Sequence, residues 1–129
     1  MEQAMEYQVL TEKIIGCSYC VHNRMGFGFF ESVYQNCLLI ELRNAGLQAK
    51  KQIPINVFYE QQIVGQFVVD IIVNDLIILE LKSVRQLSLA HEIQLVNYLV
   101  ATRKPLGLLI NFGSSKVEVR RKIRDLKNF

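Results

Sequence analysis

Three ionisable residues stand inside the two apolar runs of VVDIIVNDLIILELKS, Val68 to Ser83, and a fourth, Asp75, lies in the Asn-Asp break between the runs. Runs of Val, Ile and Leu like these are typical of strands buried on both faces, where charge is unfavourable. One run nevertheless contains Asp70, and the next contains Glu80 and Lys82. An unpaired buried charge costs on the order of several kcal/mol, so these groups need partners. Two adjacent carboxylates could share a divalent cation, and an all-oxygen site favours Mg²⁺ or Mn²⁺ over zinc.

Whether the two carboxylates meet depends on the turn between the strands. Glu80 and Lys82 are two residues apart on one strand, so their side chains share a face. A two-residue Asn-Asp turn would place Asp70 opposite Leu79, with Glu80 on the other face of the sheet. A three-residue turn or a one-residue bulge would place Asp70 directly opposite Glu80, with Cβ atoms roughly 4.5 to 5.5 Å apart. We predict the odd-numbered connection, because the alternative buries three charged groups on two faces without partners.

The lysine has two interpretations. Near a cation, the ammonium of Lys82 could orient an attacking water or stabilise charge that develops on a phosphate. The alternative is a buried ion pair between Lys82 and Asp70 or Glu80 that does no chemistry. The residue types alone are compatible with both.

The elements that must position these residues follow from hydropathy and turn residues. The predicted order is helix 6–24, helix 29–44, strands 50–60, 63–73 and 76–83, helix 88–103, strand 105–113 and a candidate short strand 116–123. Gly46 ends the second helix, and Pro54 indicates that the first strand is an edge strand or contains a bulge. This order predicts an α/β fold in which helices flank a mixed central sheet.

Helical periodicity places a further carboxylate near the predicted site. At about 100° per residue, the apolar face of the second helix centres near Phe30, Tyr34 and Leu38. Glu31 lies on the flank of this face in the first turn, where the helix dipole favours a carboxylate that could reach a metal. A plain N-terminal charge preference is the alternative. Glu41 points into the apolar face, which predicts a hydrogen-bonded or ion-paired role.

The third helix, with Ser88 as its predicted N-cap, has two distinct faces. Its main core stripe is predicted to consist of Leu89, Ile93, Val96 and Val100. His91, Gln94 and Tyr98 lie together on another face. A Gln amide and a Tyr hydroxyl can bind a phosphate or a metal-bound water, and an exposed polar face is the alternative.

The order of these motifs resembles the PD-(D/E)XK nuclease superfamily. Its α-β-β-β-α-β core is similar to the order predicted for residues 29–112, which implies a restriction-endonuclease-like fold with an extra N-terminal helix. In that superfamily the Asp and the E-x-K acid hold magnesium, and the lysine assists phosphodiester hydrolysis. The resemblance assigns these roles to Asp70, Glu80 and Lys82. Val69 replaces the proline that usually precedes the Asp.

Two further motifs resemble narrower groups. GFFESVY, residues 28–34, is a G-x-x-E-x-x-Y and resembles the signature of the small GxxExxY proteins. ELRNAGL, NYL and GLLINFG are similar to the same family, so the resemblance covers nearly the whole chain. QLVNY, with Gln94 and Tyr98, resembles the extra motif of RecB-type nucleases, which lies on the helix after the E-x-K strand.

The net charge of +3 is unevenly distributed along the 129 residues. Residues 116–127 contain six basic and two acidic residues and sum to +4, so the remainder sums to −1. A basic segment attracts polyanions, and a solvated tail is the alternative. The candidate contacts to nucleic-acid phosphates are Lys50, Lys51, Arg120, Arg121, Lys122 and Arg124.

Length and composition predict a single domain over residues 1–129. No apolar run reaches the roughly 18 to 20 residues of a membrane span, and the polar, acidic N-terminus does not resemble a secretory signal. We therefore expect a cytoplasmic protein without a membrane partner. Cys17 and Cys20 form a C-x-x-C, which we interpret as two helix positions in a reducing compartment, because a zinc site would need more ligands.

The leading hypothesis is a Mg²⁺- or Mn²⁺-dependent nuclease that hydrolyses DNA or RNA. Its metal ligands would be Glu31, Asp70 and Glu80, and its other catalytic residues Lys82, Gln94 and Tyr98. The alternative is a catalytically silent nucleic-acid-binding or regulatory module with the same fold. A third hypothesis is a structural subunit, and an edge strand would also allow a homodimer.

Overall fold

The computed structural model describes residues 2–124, with side chains from residue 5 onward. Its elements are α1 Glu2–Met25, α2 Glu31–Asn44, β1 Ala49–Tyr59, β2 Gln62–Val73, β3 Ile77–Lys82, α3 Leu89–Thr102, β4 Leu106–Asn111 and β5 Glu118–Ile123. The element order confirms the predicted α/β fold, including the extra N-terminal helix and the short final strand. Within this part of the chain, no helix is both long and apolar enough to cross a bilayer.

The five strands form one mixed sheet in the order β1-β2-β3-β4-β5. Only β3 and β4 are parallel, and α3 is the crossover between them. The other neighbouring pairs are antiparallel. Pro54 lies in the edge strand β1, as predicted, where its missing N–H interrupts no central ladder. The central strand β3 is buried along five of its six residues, which explains its unbroken apolar run.

Two hydrophobic clusters cover the two faces of this sheet. One joins Ile14 of α1 and Leu38 of α2 to the strand residue Leu79. The other joins Leu99 of α3 to Ile78, the neighbour of Leu79 on β3. Because side chains alternate along a strand, Glu80 and Lys82 continue the α3 face that begins at Ile78.

The predicted core stripe of α3 is wrong. Its side chains face outward, with exposed fractions of 69% for Leu89, 52% for Ile93 and 40% for Val100. The fully buried residues are Leu95 and Leu99. The helix is apolar on both sides, so periodicity could not decide which side meets the sheet. Gly107 of β4 leaves room for Leu95, since a Cβ there would lie 2.7 Å from Leu95 Cδ1.

The second helix begins at Glu31, two residues later than predicted. Phe30 is its N-cap with an extended backbone, and its side chain is 85% exposed rather than central in the apolar face. Tyr34 and Leu38 are fully buried, as predicted. The helical periodicity therefore begins at Glu31, one residue after Phe30.

Glu41 has the ion-paired role that its position predicts. Its Oε1 lies 3.3 Å from Nη1 of Arg24 on α1, and its side chain is 23% exposed, so it is partly rather than fully buried. All three cysteines are free thiols. Burial raises the pKa of the Cys17 thiol, and the charge of Glu41 raises it further, which favours an unreactive protonated thiol.

Candidate active site

The turn between β2 and β3 has three residues, 74–76, as predicted. Val73 pairs with Ile77 at the start of the antiparallel ladder. The ladder ends at Ile71 and Leu79, so Asp70 and Glu80 are the next residues of the two strands and lie next to each other. The turn uses left-handed backbone at its first two residues, with φ of 51° and 55°. Asn and Asp tolerate that conformation better than most residues, so the Asn-Asp pair suits the backbone of this turn.

The two carboxylates are held by a crossed pair of hydrogen bonds. The backbone N–H of Leu81 donates to Oδ2 of Asp70 at 2.7 Å. The N–H of Asp70 donates to Oε1 of Glu80 at 3.3 Å. Glu80 is only 6% exposed, and Asp70 is half-buried. Both carboxylates are therefore fixed between the strands, with one oxygen of each engaged by backbone.

Electrostatics connect these carboxylates to both flanking helices. Burial raises the pKa of Glu80 to about 8, and the charge of Asp70 contributes to the increase. Burial also raises the pKa of Asp70, against the opposing hydrogen bond from Leu81. The charge of Glu31, on α2, raises both values further. Burial raises the pKa of Tyr98, on α3, and the charges of Glu80 and Asp70 add to this. Glu31 and Tyr98 thus lie within electrostatic reach of the pair.

The donor set fits a hard divalent cation. Within residues 2–124, neither Asp70 nor Glu80 forms an ion pair, and the nearby charge of Lys82 lowers both pKa values without offsetting their burial. Carboxylate oxygens are the ligands that Mg²⁺ and Mn²⁺ prefer. Glu31 is exposed, and no three His, Cys, Asp or Glu side chains in the described chain form a ready metal cluster. The site therefore provides two adjacent carboxylates, Asp70 and Glu80, and a third, Glu31, farther away.

Lys82 follows on the same face and is half-buried. It lies beside Asn111 of β4, a fully buried residue that sequence reasoning missed. The amide of Asn111 donates to the carbonyl of Val84 and to Glu118, both at 2.8 Å, and accepts from Val84 and Gly113. These bonds fix the loop that follows Lys82. The only sequence signal was a polar residue at the end of an apolar strand.

The three candidate residues of the third helix, His91, Gln94 and Tyr98, differ in their relation to the site. The ring of Tyr98 stacks on Phe67 with centroids 3.9 Å apart. Gln94 is exposed, one turn earlier on the helix. His91 does not join them, because its Nδ1 accepts from the N–H of Ser88, whose hydroxyl accepts from the N–H of His91. This capping box confirms Ser88 as the N-cap.

Part of the predicted basic surface shares the face of the carboxylates. Glu80 pairs with Leu109, and Leu109 pairs with Arg120 of β5, so Arg120 projects from the same face two strands away. Lys122 also lies on β5, but its Nζ forms an ion pair with Glu92 of α3 at 2.6 Å. Arg120 is ion-paired as well, with its Nη2 3.7 Å from Oε2 of Glu118, so both basic residues of β5 on this face have acidic partners.

The remaining basic candidates are scattered. Lys51, on the opposite sheet edge, donates to Asn36 of α2. Lys50 lies toward the β2–β3 turn, where its charge adds to the hydrogen bond from Lys104 that lowers the pKa of Asp75. Arg121 is exposed, Arg124 is half-buried, and Lys127 lies outside the described residues. The basic residues do not form one continuous patch within residues 2–124.

The stability of the metal-free protein should fall as pH rises. The pKa of Glu80 is raised from 4.5 to about 8 on folding, so the folded state retains a proton that the unfolded state loses. The contribution of Glu80 to the free energy of unfolding is highest below about pH 4.5 and declines until about pH 8. At about 1.4 kcal/mol per pKa unit, the total decline is up to about 5 kcal/mol.

Urea unfolding in EDTA across this pH range measures the effect. Glu80→Gln keeps the shape of the side chain without a titrating group, so most of the decline should disappear in that variant. An equal decline in the variant and the wild type would show that Glu80 is not the group responsible.

Comparisons with known proteins bear on this fold and site. A search of curated proteins found no match. The crystal structure of the protein SSO0001 is similar, with a TM-score of 0.60 and 19% identity over 74% of this chain and 50% of that chain. The chain thus spans about half the length of that protein, and the likeness shows the fold. The sequence model of the PD-(D/E)XK nuclease superfamily matches residues 8–122, which include every strand residue of the site. The chain belongs to the PD-(D/E)XK nuclease superfamily.

Proposed function

We propose that this chain is a metal-dependent nuclease that hydrolyses phosphodiester bonds of DNA or RNA with Mg²⁺ or Mn²⁺. The β2–β3 register carries the proposal, because it brings Asp70 and Glu80 together, with Glu80 buried, Asp70 half-buried and neither in an ion pair within the described chain. Superfamily membership supports it, since PD-(D/E)XK nucleases generally use divalent metals and act on nucleic acids.

Asp70 and Glu80 would hold the cation, and Glu31 would contribute as a third carboxylate, directly or through water. A cation bound there would neutralise charge on the scissile phosphate and favour hydroxide over water as the nucleophile. The two strand carboxylates each have an oxygen fixed by a backbone N–H, so they need little reorganisation to bind. This preorganisation limits the entropy lost on binding.

Lys82 would orient the attacking water or stabilise charge that develops on the phosphate. Its backbone is fixed on both sides, because its carbonyl accepts from Phe112 and the loop after it is held by Asn111. The hydroxyl of Tyr98 and the amide of Gln94 would support the substrate. The proposed contacts to backbone phosphates are Lys50, Lys51, Arg120, Arg121, Lys122 and Arg124.

We also propose that the chain belongs to the GxxExxY branch, because the signature residues have connected positions. Tyr34 is fully buried, and its ring stacks on Phe112 with centroids 4.7 Å apart. Its hydroxyl donates to the carbonyl of Gly26 at 2.6 Å and accepts from the N–H of Phe29 at 3.3 Å. The tyrosine thereby fixes the loop that directly precedes Glu31.

One observation favours the catalytically silent module as a second candidate. Glu31 does not join Asp70 and Glu80 in a three-ligand cluster within residues 2–124. A site with two carboxylates could bind nucleic acid through a cation and turn over slowly or not at all. This candidate has the same fold and the same partner as the nuclease, and it differs in the absence of cleavage.

Incubation with labelled single- and double-stranded DNA and RNA separates the two candidates. We expect cleavage of at least one substrate with Mg²⁺ or Mn²⁺ and none in EDTA. Metal binding without cleavage of any of the four substrates would favour the silent module. Cleavage that persists in EDTA would contradict both, because neither explains metal-independent hydrolysis.

A further inference from the structure

The loop between α1 and α2 exposes aromatic side chains at the edge of the site. Three of the seven phenylalanines of the chain lie in residues 27–30. Their exposed fractions are 63% for Phe27, 45% for Phe29 and 85% for Phe30. Exposed aromatic residues that cluster in one short loop are typical of a surface that binds a partner.

This loop is braced against the core and against the catalytic strand. The hydroxyl of Tyr34 bonds to the backbone at both ends of the loop, at Gly26 and at Phe29. The hydroxyl of Ser83, the residue after Lys82, donates to the carbonyl of Phe29 at 2.6 Å. Phe30 is therefore held at a fixed distance from the end of β3, and its exposure is not that of a loose chain end.

A cleft of about 290 Å³ separates this loop from the loop after β3. Phe30 and Glu31 line one side, and Ser83 and Arg85 line the other. Arg85 is exposed and forms no ion pair among residues 2–124. The cleft adjoins the end of β3, because Ser83 lines it and directly follows Lys82, and Glu31, which also lines it, raises the pKa of Asp70 by its charge. It offers an aromatic face and a cation to a ligand bound at the site.

We propose that Phe30 stacks on an unpaired base beside the scissile phosphate while Arg85 binds a backbone phosphate, so that the substrate is single-stranded nucleic acid. The inference rests on the proposed function and names its substrate class. Aromatic side chains stack on unpaired bases with little regard to sequence, and arginine pairs with phosphate through its planar fork. In a duplex, both faces of an internal base are already stacked, so Phe30 would have no free base to contact.

Binding is tested with Mg²⁺ present in an Asp70→Asn background, in which cleavage is expected to be about a thousandfold slower. The probes are a fluorescent single-stranded oligonucleotide and its matched duplex, and a 2-aminopurine base reports stacking by its quenching. We expect tighter binding of the single strand. Phe30→Ala should weaken that binding by about fivefold to a hundredfold and relieve the quenching, and Phe30→Trp should preserve both. Tyr59→Ala, which removes an aromatic residue 67% exposed on β1, is the matched control and should have no effect.

Equal affinity of Phe30→Ala and Tyr59→Ala for the single strand, or tighter binding of the duplex, would overturn the inference. The inference would also be overturned if the wild type were a dimer and Phe30→Ala converted it to a monomer without a change in oligonucleotide binding. The loop would then bind protein. Failure of the proposed function is separate, because it appears as wild-type protein that cleaves nothing. Cleavage that is insensitive to Phe30→Ala would contradict the role of Phe30 and leave the proposed nuclease function intact.

Discussion

Asp70→Asn should reduce metal-dependent cleavage about a thousandfold, because a bound cation contributes several kcal/mol to catalysis and each 1.4 kcal/mol is about tenfold in rate. The asparagine oxygen can still accept the hydrogen bond that Leu81 donates to Oδ2 of Asp70, so the strand pairing should survive. The charge that Asp70 provides opposite Glu80 is lost. The measurement is the initial rate of oligonucleotide hydrolysis in Mg²⁺, with circular dichroism as the check on folding.

Asp75→Asn is the matched control for this change. It removes a carboxylate five residues further along the same hairpin, where Asp75 is exposed and paired with Lys104 at 2.9 Å. The control should hydrolyse the substrate at the wild-type rate. If Asp70→Asn and Asp75→Asn had equal rates, Asp70 would have no part in catalysis.

Gly113→Ala should destabilise the protein by about 3 kcal/mol, within the range of over-packing in a site that cannot relax. A Cβ at Gly113 would lie 2.2 Å from the backbone nitrogen of Val84 and 2.3 Å from its oxygen. Backbone atoms cannot rotate away as the end of a side chain can. The same loop is held by Asn111, so the clash would also displace the segment that follows Lys82.

Urea unfolding at constant pH measures this loss. Gly16→Ala is the control, because nothing lies within 4 Å of a Cβ there and the residue is inside α1. It should stabilise the protein by about 0.5 to 1 kcal/mol, the helix preference of alanine over glycine. A Gly113→Ala protein as stable as the wild type would mean that the two loops are not in close contact.

The register that brings Asp70 and Glu80 together was predictable because burial constrains it strongly. Once the runs around these residues are taken as neighbouring strands, an odd-numbered turn or a one-residue bulge is needed to place both charges on one face. The element order was also predictable, since most breaks are marked by Gly, Pro or an Asn-Asp pair; the β1–β2 turn and the loop before Ser88 are the exceptions. Ser88 was predictable as a cap because its hydroxyl precedes an apolar helical run.

Other features depend on tertiary contacts that periodicity does not contain. The third helix is apolar on two sides, and the packing of Leu95 against Gly107 decides which side is buried. Phe30 looked central to a helical face because the pattern was extended into a residue whose backbone is not helical. Asn111 was missed because its hydrogen-bond partners lie in the loops that follow β3 and β4. One of these partners, Val84, is 27 residues from Asn111 in the sequence.

Calorimetric titration of Mg²⁺ into the protein tests most directly whether Asp70 and Glu80 together hold a hard cation. The account predicts that the wild type binds and that Asp70→Asn and Glu80→Gln each weaken binding at least about tenfold, the effect of about 1.4 kcal/mol. Asp75→Asn should bind as the wild type does. No binding by the wild type, or undiminished binding by both site variants, would contradict the shared site.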